Sequence, residues 1–104
     1  MMYQLEFLPI ANNDIRSASM YIADELKAPV AAANLMREVR RKIVNLKETP
    51  YIYREYRGAP QNETIYRVMP VKNYFVFYTV NEARKTIEIH RFLYARMNLE
   101  ELLE

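Results

Sequence analysis

The side chains of this 104-residue chain that could perform chemistry are cationic and phenolic groups in its second half. An arginine can bind a phosphate group through two parallel hydrogen bonds, and a tyrosine or histidine can exchange a proton or stack on a base. Such a set could cleave RNA without a metal ion. The residues available for it are Arg67, His90, Arg91, Tyr94 and Arg96, and the catalytic assignment rests on Arg67, Tyr94 and Arg96.

The same residues also have a structural interpretation. Arg67 in a half-exposed strand is equally suited to an ion pair, and His90 alternates with Glu88 on a face that solvent could cover. The nine tyrosines can form a contact surface or pack at the rim of a sheet. The residue types alone leave both interpretations open.

Other kinds of site are disfavoured by composition. The chain has no cysteine and one histidine, so we expect no metal site and no thiol nucleophile. Its single glycine argues against the loops that bind nucleotide phosphates, and we expect no cofactor. The serines lie in no nucleophile-elbow pattern, which gives acyl transfer no support.

Length and composition predict one globular domain over residues 1–104. Hydrophobic residues make up 51% of the chain and charged residues 27%, which is typical of a folded protein. We expect a cytoplasmic location, because cysteine is absent, no signal sequence is visible and no apolar run approaches the roughly 20 residues that span a bilayer.

Periodicity in the first half predicts a strand followed by two helices. Alternation from Tyr3 to Phe7 indicates a strand that Pro9 ends. A helical stripe then runs from Asn12, with Asn12 or Asn13 as its cap, to about Lys27. A second stripe begins at Pro29 and stops at Thr49-Pro50. The short connection predicts an antiparallel hairpin, with Ile15, Ile22, Met36, Val39 and Ile43 facing a sheet.

The second half predicts three strands, Thr64–Met69, Tyr74–Val80 and Thr86–Leu93, after a loop at 51–62 that begins with a short strand or a turn. Short connections make them an antiparallel meander. The middle strand is apolar on both faces and should therefore lie inside the sheet. A short helix is predicted from Asn98. The fold class is α+β.

A basic segment and a leucine-bearing tail are candidates for binding a partner. Seven basic residues stand against three acidic ones between Arg37 and Arg57, which fits either a solvated helix face or an acidic partner. The residues we assign to partner binding are Arg37, Arg40, Arg41, Arg54, Arg57, Leu99, Leu102 and Leu103.

The predicted order of elements, a strand followed by a helix hairpin and then a meander, resembles that of the RelE/ParE toxins over essentially the whole chain. Residues 46–50 resemble the family's helix end "L…P", and Ile65–Val68 its "YR(I/V)" strand. Asn73–Val80 resembles its central strand "NYR(V/I)(V/I)Y.V", and Ile89–Asn98 its ending "I.RVLHGRRD". The resemblance implies the toxin of a type II, plasmid-stabilising toxin–antitoxin system, which arrests growth until an antitoxin protein wraps it.

The family contains two activities. RelE-type members cut messenger RNA in the ribosome with basic residues and a histidine or tyrosine near the C-terminus, whereas ParE-type members block DNA gyrase. Here Phe75 replaces the arginine of "NYR", Tyr94 replaces the histidine of the ending, and its basic pair becomes Arg96 and Met97. The tail from Leu99 also resembles ParE more than RelE. We therefore expect a gyrase inhibitor, with a ribosome-dependent nuclease or an inactive partner-binding member as alternatives.

Overall fold

A computed structural model describes residues 2–56 and 64–96 of the chain. Within them, two helices and five strands form the α+β fold that the sequence predicts. The short helix expected from Asn98 lies outside the described residues. The elements are β1 (Gln4–Phe7), α1 (Pro9–Met20), α2 (Pro29–Asn45), β2 (Glu55–Tyr56), β3 (Tyr66–Val71), β4 (Tyr74–Asn81) and β5 (Thr86–Tyr94).

The first helix begins earlier than expected. Leu8 is its N-cap residue and Pro9 its first residue, so Asn12 and Asn13 lie inside the helix and do not cap it. A proline suits this position because the first amides of a helix have no acceptor within the helix. Pro9 therefore ends β1 and begins α1 with no loop between them.

The helix hairpin has a very tight connection. A π-helical turn at Tyr21–Glu25 continues α1, and the Leu26 amide closes it by donating to the Tyr21 carbonyl at 3.1 Å. Lys27 then takes a left-handed conformation at φ 53°, which reverses the chain. The second helix ends at Asn45, and turns carry the chain on to Pro50.

The sheet has the order β1-β5-β4-β3-β2, with β4 in the middle as predicted. The meander of β3, β4 and β5 is antiparallel, which is also as predicted. The strand β1 lies beside β5 and runs parallel to it, with Leu5 opposite Ile87. Parallel neighbours need a long crossover, and the helix hairpin is part of the chain that connects them.

The core lies between the hairpin and one face of the sheet. Val39 and Ile43 are buried there as predicted, while Ile15, Ile22 and Met36 are only partly buried. The opposite face has a smaller cluster of buried side chains, Tyr66, Val68, Phe77 and Leu93. The strand β4 contributes to both clusters, which explains its apolar character on both faces. No helix in the described part of the chain is long and apolar enough to cross a membrane.

A bulge in β5 interrupts the register of the central pair. Phe77 is opposite Arg91 and Tyr78 is opposite Ile89, so His90 is an extra residue in β5. A bulge of this kind redirects the neighbouring side chains. Arg91 consequently reaches α1, while His90 packs against Tyr66 of β3.

Candidate functional site

A cleft of about 840 Å³ lies at one end of the sheet. One wall is the end of α1, the π-helical turn and the start of α2, and the other is the β3–β4 turn with the end of β5. Its lining is mainly apolar and includes Tyr21, Leu26, Leu35, Phe92 and Tyr94. Such a cleft is typical of a binding site.

An ion pair between Asp14 and Arg91 forms part of the cleft wall. The Arg91 Nε donates to Asp14 Oδ2 at 2.7 Å and the Arg91 Nη2 donates to Asp14 Oδ1 at 3.1 Å. The Phe92 amide also donates to Asp14 Oδ2, at 3.0 Å. Both side chains are largely buried. The two charges therefore neutralise each other, and the pair fixes the bulged part of β5 against α1.

Three tyrosines face the cleft. The Tyr74 ring stacks on Phe92 with centroids 4.7 Å apart, and the Tyr94 ring meets it edge-on at 5.4 Å. Burial raises the pKa of Tyr74, and the neighbouring Tyr94 and Tyr21 raise it further. At neutral pH the Tyr74 hydroxyl is thus a proton donor and carries no charge.

The β3–β4 turn brings a lysine to the cleft. Lys72 has φ 54°, a conformation that is costly for a residue with a side chain. The turn is held on two sides, because the Ala95 amide donates to the Asn73 carbonyl at 2.9 Å and the Lys42 ammonium donates to the Pro70 carbonyl at 2.9 Å. These contacts hold the Lys72 backbone beside the tyrosines.

Arg67, the first of the predicted catalytic residues, lies at the other end of the sheet. Its Nη1 donates to the Tyr53 carbonyl at 2.8 Å, and its Nη2 is 3.6 Å from a carboxylate oxygen of Glu55. Its guanidinium carbon also lies 4.9 Å from the centroid of the Tyr51 ring. Arg67 therefore anchors the segment that follows α2 to the sheet.

The structure does not bring Arg67 together with Tyr94. Arg67 pairs with Tyr78 and Tyr94 pairs with Tyr74, so their partners are four residues apart along β4. Four residues of strand span about 14 Å. Tyr94 lies at the cleft, and Arg96 is exposed two residues after it.

At the position where the resemblance implies an arginine, the chain has Phe75, which makes an aromatic contact. Phe75 is half-buried on the face opposite the helices, and its ring lies edge-on to Phe77 with centroids 6.0 Å apart. A phenyl ring cannot bind a phosphate group as a guanidinium does.

His90 belongs to a separate polar cluster on that same face. The Thr79 hydroxyl donates to Glu88 Oε1 at 3.1 Å, and its oxygen is 2.9 Å from His90 Nε2. The Tyr66 ring lies edge-on to the imidazole at 5.2 Å. Burial lowers the pKa of His90, so the ring is neutral at pH 7 and its Nε2 is assigned as the donor to Thr79.

Comparison with known proteins identifies the family. A model of the ParE toxins of type II toxin–antitoxin systems matches residues 5–99, which is nearly the whole chain. The chain belongs to the ParE toxin family. The resemblance seen in the sequence is thereby confirmed. No curated protein matches this chain.

Solved structures show the same fold for this ParE-family chain. A chain of the chromosomal ParDE system from P. aeruginosa is 14% identical with a TM-score of 0.72, covering 91% of this chain and 98% of that one. A chain of the RelBE2 toxin–antitoxin complex from Mycobacterium tuberculosis is 17% identical with a TM-score of 0.59, covering 90% and 99%. A RelE toxin mutant from E. coli is 19% identical with a TM-score of 0.60, covering 98% and 93%.

The basic residues that we assign to partner binding in this ParE-family chain are exposed where they are described. Arg37 donates to Asn34, and Arg41 pairs with Glu38, whose pKa it lowers. The remaining members are Arg40 and Arg54, both exposed, and Arg57, Leu99, Leu102 and Leu103, which lie outside the described residues.

Polar contacts link segments that are distant in the sequence, and the sequence does not predict them. Asp14 was not singled out, and neither was Glu82, which accepts hydrogen bonds from Tyr3 at 2.9 Å and from Tyr51 and Lys85. These donors, Lys85 first, lower the pKa of Glu82 to about 2, and the bond to Glu82 raises the pKa of Tyr51 to about 12. Periodicity carries no information on such pairs, because Tyr3 and Glu82 are 79 residues apart.

Proposed function

We propose that this toxin is a non-hydrolytic inhibitor of DNA gyrase and that an antitoxin encoded beside it holds it inactive. The carrying observation is the position of Arg67, whose guanidinium binds the Tyr53 carbonyl, Glu55 and the Tyr51 ring. These contacts already engage the Arg67 guanidinium, which is the cation that a nuclease of this family would need on its central strands. Membership of the ParE family supports the same conclusion.

The energetic argument concerns the transition state of RNA cleavage. Metal-free cleavage develops negative charge on phosphate oxygens, and losing one preorganised donor typically costs about 3 kcal/mol, or about a hundredfold in rate. Phe75 removes one such group. With Arg67 bound elsewhere, Arg96 is the cation closest in sequence to Tyr94 that is exposed among the described residues.

The second candidate function is ribosome-dependent cleavage of messenger RNA. One observation favours it: Tyr94 lines an open cleft, and the exposed Arg96 follows two residues later. A phenol beside a guanidinium is a pair that can exchange a proton and stabilise a phosphate. A third candidate, an inactive member that only binds its antitoxin, would show neither activity.

Two observations support an antitoxin partner, namely the solved structures that are similar to this chain and the basic side chains exposed on its surface. The similar structures include chains of the P. aeruginosa ParDE system and the M. tuberculosis RelBE2 complex. The exposed arginines of α2 suit a net acidic partner that is partly disordered before binding. We accordingly propose growth arrest when the toxin is expressed alone and relief when the antitoxin is coexpressed.

Inhibition of supercoiling tests the proposal. Toxin freed of its partner is titrated against purified DNA gyrase and relaxed plasmid, with the reconstituted toxin–antitoxin complex as the control. We expect the free toxin to block supercoiling and the complex to leave it unchanged. A toxin that arrests growth but leaves gyrase fully active would refute the proposed target.

A further inference from the structure

One face of α2 carries cations that the fold does not neutralise. Arg37, Arg40 and Arg41 are exposed on neighbouring turns of this helix. The Arg37 guanidinium donates to the neutral amide oxygen of Asn34. Of the three arginines, Arg41 alone has an acidic partner in the part of the chain that the structure describes, and that partner is the carboxylate of Glu38.

Two lysines extend this face toward the β3–β4 turn. The Lys42 ammonium donates to the Pro70 carbonyl at 2.9 Å, and this neutral acceptor leaves its charge uncompensated. Lys72 is exposed in the turn itself, and it lines the cleft together with Asn34 of α2. The turn therefore continues the cationic face of the helix.

Carboxylates on and after α2 balance only part of this charge. Glu38 lies among the cations, and the hydrogen bond from Arg41 is the main cause that lowers its pKa. The charges of Lys42 and Lys72 lower that pKa further. Glu48, just beyond the helix, lines a groove with Arg41 and Lys42. The cations outnumber these two carboxylates, and we call them together the basic surface, which consists of Arg37, Arg40, Arg41, Lys42 and Lys72.

The surroundings of the basic surface favour a nucleic acid over a folded protein. The core of a protein interface is depleted of charge and is anchored by apolar or aromatic side chains. The large apolar side chains exposed on α2 are Val30 and Val44, which lie near its two ends and not between the arginines. A phosphate backbone needs no such anchor, because lysine and arginine neutralise it whatever its sequence.

The spacing of the arginines suits a row of phosphates. Residues three or four apart on a helix are separated by about 4.5 to 6 Å along its axis, and one strand of duplex DNA carries a charge about every 3.4 Å. The long side chain of an arginine covers the difference, and its guanidinium binds a phosphate through two hydrogen bonds. The basic surface contains no aromatic ring on which an unpaired base could stack, which favours a duplex over a single strand.

We infer that the basic surface binds the phosphate backbone of duplex DNA, so that the toxin engages gyrase on the DNA that the enzyme holds. The part of this inference that concerns gyrase rests on the proposed function, whereas binding of DNA by the isolated toxin does not. An acidic antitoxin segment on the same arginines would compete with DNA for them.

Binding of a short fluorescently labelled duplex to the isolated toxin tests the contact directly. Fluorescence anisotropy is measured over a series of salt concentrations. We expect the logarithm of the binding constant to fall linearly with the logarithm of the salt concentration, with a slope of about −0.9 for each phosphate contacted. A second duplex of unrelated sequence should bind within about twofold of the first, because phosphate contacts carry no sequence information.

A charge-matched pair of double variants locates the contact. Arg37→Gln/Arg40→Gln removes two cations of the basic surface, and Arg16→Gln/Arg84→Gln removes two exposed cations of other elements. Both variants have the same net charge, so the second corrects for long-range attraction. We expect the first to make the salt slope shallower by about 2 and to weaken binding at least tenfold, and the second to leave the slope unchanged. Circular dichroism verifies that both are folded.

Supercoiling assays connect the contact with gyrase. The Arg37→Gln/Arg40→Gln toxin should need at least tenfold more protein for half-maximal inhibition than the Arg16→Gln/Arg84→Gln toxin. A wild-type toxin that inhibits gyrase but does not bind duplex DNA would overturn the inference and leave the proposed function standing. A wild-type toxin that binds DNA through the basic surface but leaves gyrase active would support the DNA contact and refute the proposed target.

Two further outcomes would overturn the surface assignment. Equal loss of DNA affinity in the two double variants would show that net charge alone attracts the duplex. If the wild-type toxin binds no DNA, and Arg37→Gln/Arg40→Gln weakens binding of the protein encoded by the neighbouring reading frame, the basic surface is a protein contact instead.

Discussion

The carboxylate of Asp14 and the guanidinium of Arg91 form a two-point ion pair that joins α1 to the bulged part of β5 across 77 residues of sequence. The Phe92 amide donates to the same carboxylate, so Asp14 satisfies three donors. This cluster holds one wall of the cleft in place. It also connects the hairpin to the sheet by polar contacts in addition to the apolar core.

Removing one partner of this pair should destabilise the fold. Asp14→Ala leaves the largely buried Arg91 without its carboxylate, and we expect a loss of about 3 kcal/mol in the free energy of unfolding, measured with urea. Asp24→Ala is the control, because Asp24 is exposed. Equal stability of the two variants would show that the ion pair contributes nothing to the fold.

The second prediction concerns the face of α2 that packs against the sheet. Val39→Ala and Ile43→Ala delete side chains that are 4% and 2% exposed, and each should cost about 1 to 4 kcal/mol by chemical denaturation. Val44, on the same helix, is 48% exposed, so Val44→Ala should stay within about 0.5 kcal/mol of wild type. The packing face would be wrong if the three variants were indistinguishable.

Much of this architecture could be predicted because local patterns determine it. The stripe of α2 and the two-faced apolar run of β4 each specify burial through their own residues. The start of α1 was misplaced because a proline both ends strands and suits the first turn of a helix. The parallel pairing of β1 with β5 and the bulge at His90 depend on contacts between distant segments, which periodicity cannot reveal.

The candidate site was less predictable than the fold for a related reason. Tyr94 was singled out by its residue type, and the structure places it at the cleft. The contacts of Arg67 could not be anticipated, because the Tyr53 carbonyl and the Tyr51 ring reach it only after the segment following α2 has folded onto β3.

Protonation of His90 should destabilise the protein in mild acid. Burial lowers the pKa of this residue in the folded state below the value of 6.5 that applies to the unfolded chain. The unfolded state therefore takes up the proton first, so the stability is fully present above about pH 6.5 and is lost as the pH falls through the window below it. His90→Gln should lose less stability than wild type between pH 7.5 and 5.5, and parallel profiles would contradict this assignment.

Removing the Arg67 side chain should lower stability, whereas removing the Arg96 side chain should weaken gyrase inhibition. Arg67→Ala breaks the anchor to Tyr53 and Glu55 and should lower the free energy of unfolding by about 1 to 3 kcal/mol. Gyrase inhibition by its folded fraction should be unchanged. Arg96→Ala and deletion of residues 97–104 should weaken inhibition without unfolding the domain, as circular dichroism would verify. A large loss of inhibition in folded Arg67→Ala would refute this division.

The most direct test of the central claim is cleavage of messenger RNA on programmed ribosomes by the isolated toxin. Because Phe75 cannot bind phosphate and Arg67 is engaged in other contacts, we expect no cleavage above that of a mock preparation. The toxin is used at concentrations that block supercoiling by gyrase. A RelE-type nuclease serves as the positive control on the same ribosomes. Efficient cleavage in the ribosomal A site that Tyr94→Phe and Arg96→Ala abolish would contradict the account and establish the toxin as a nuclease.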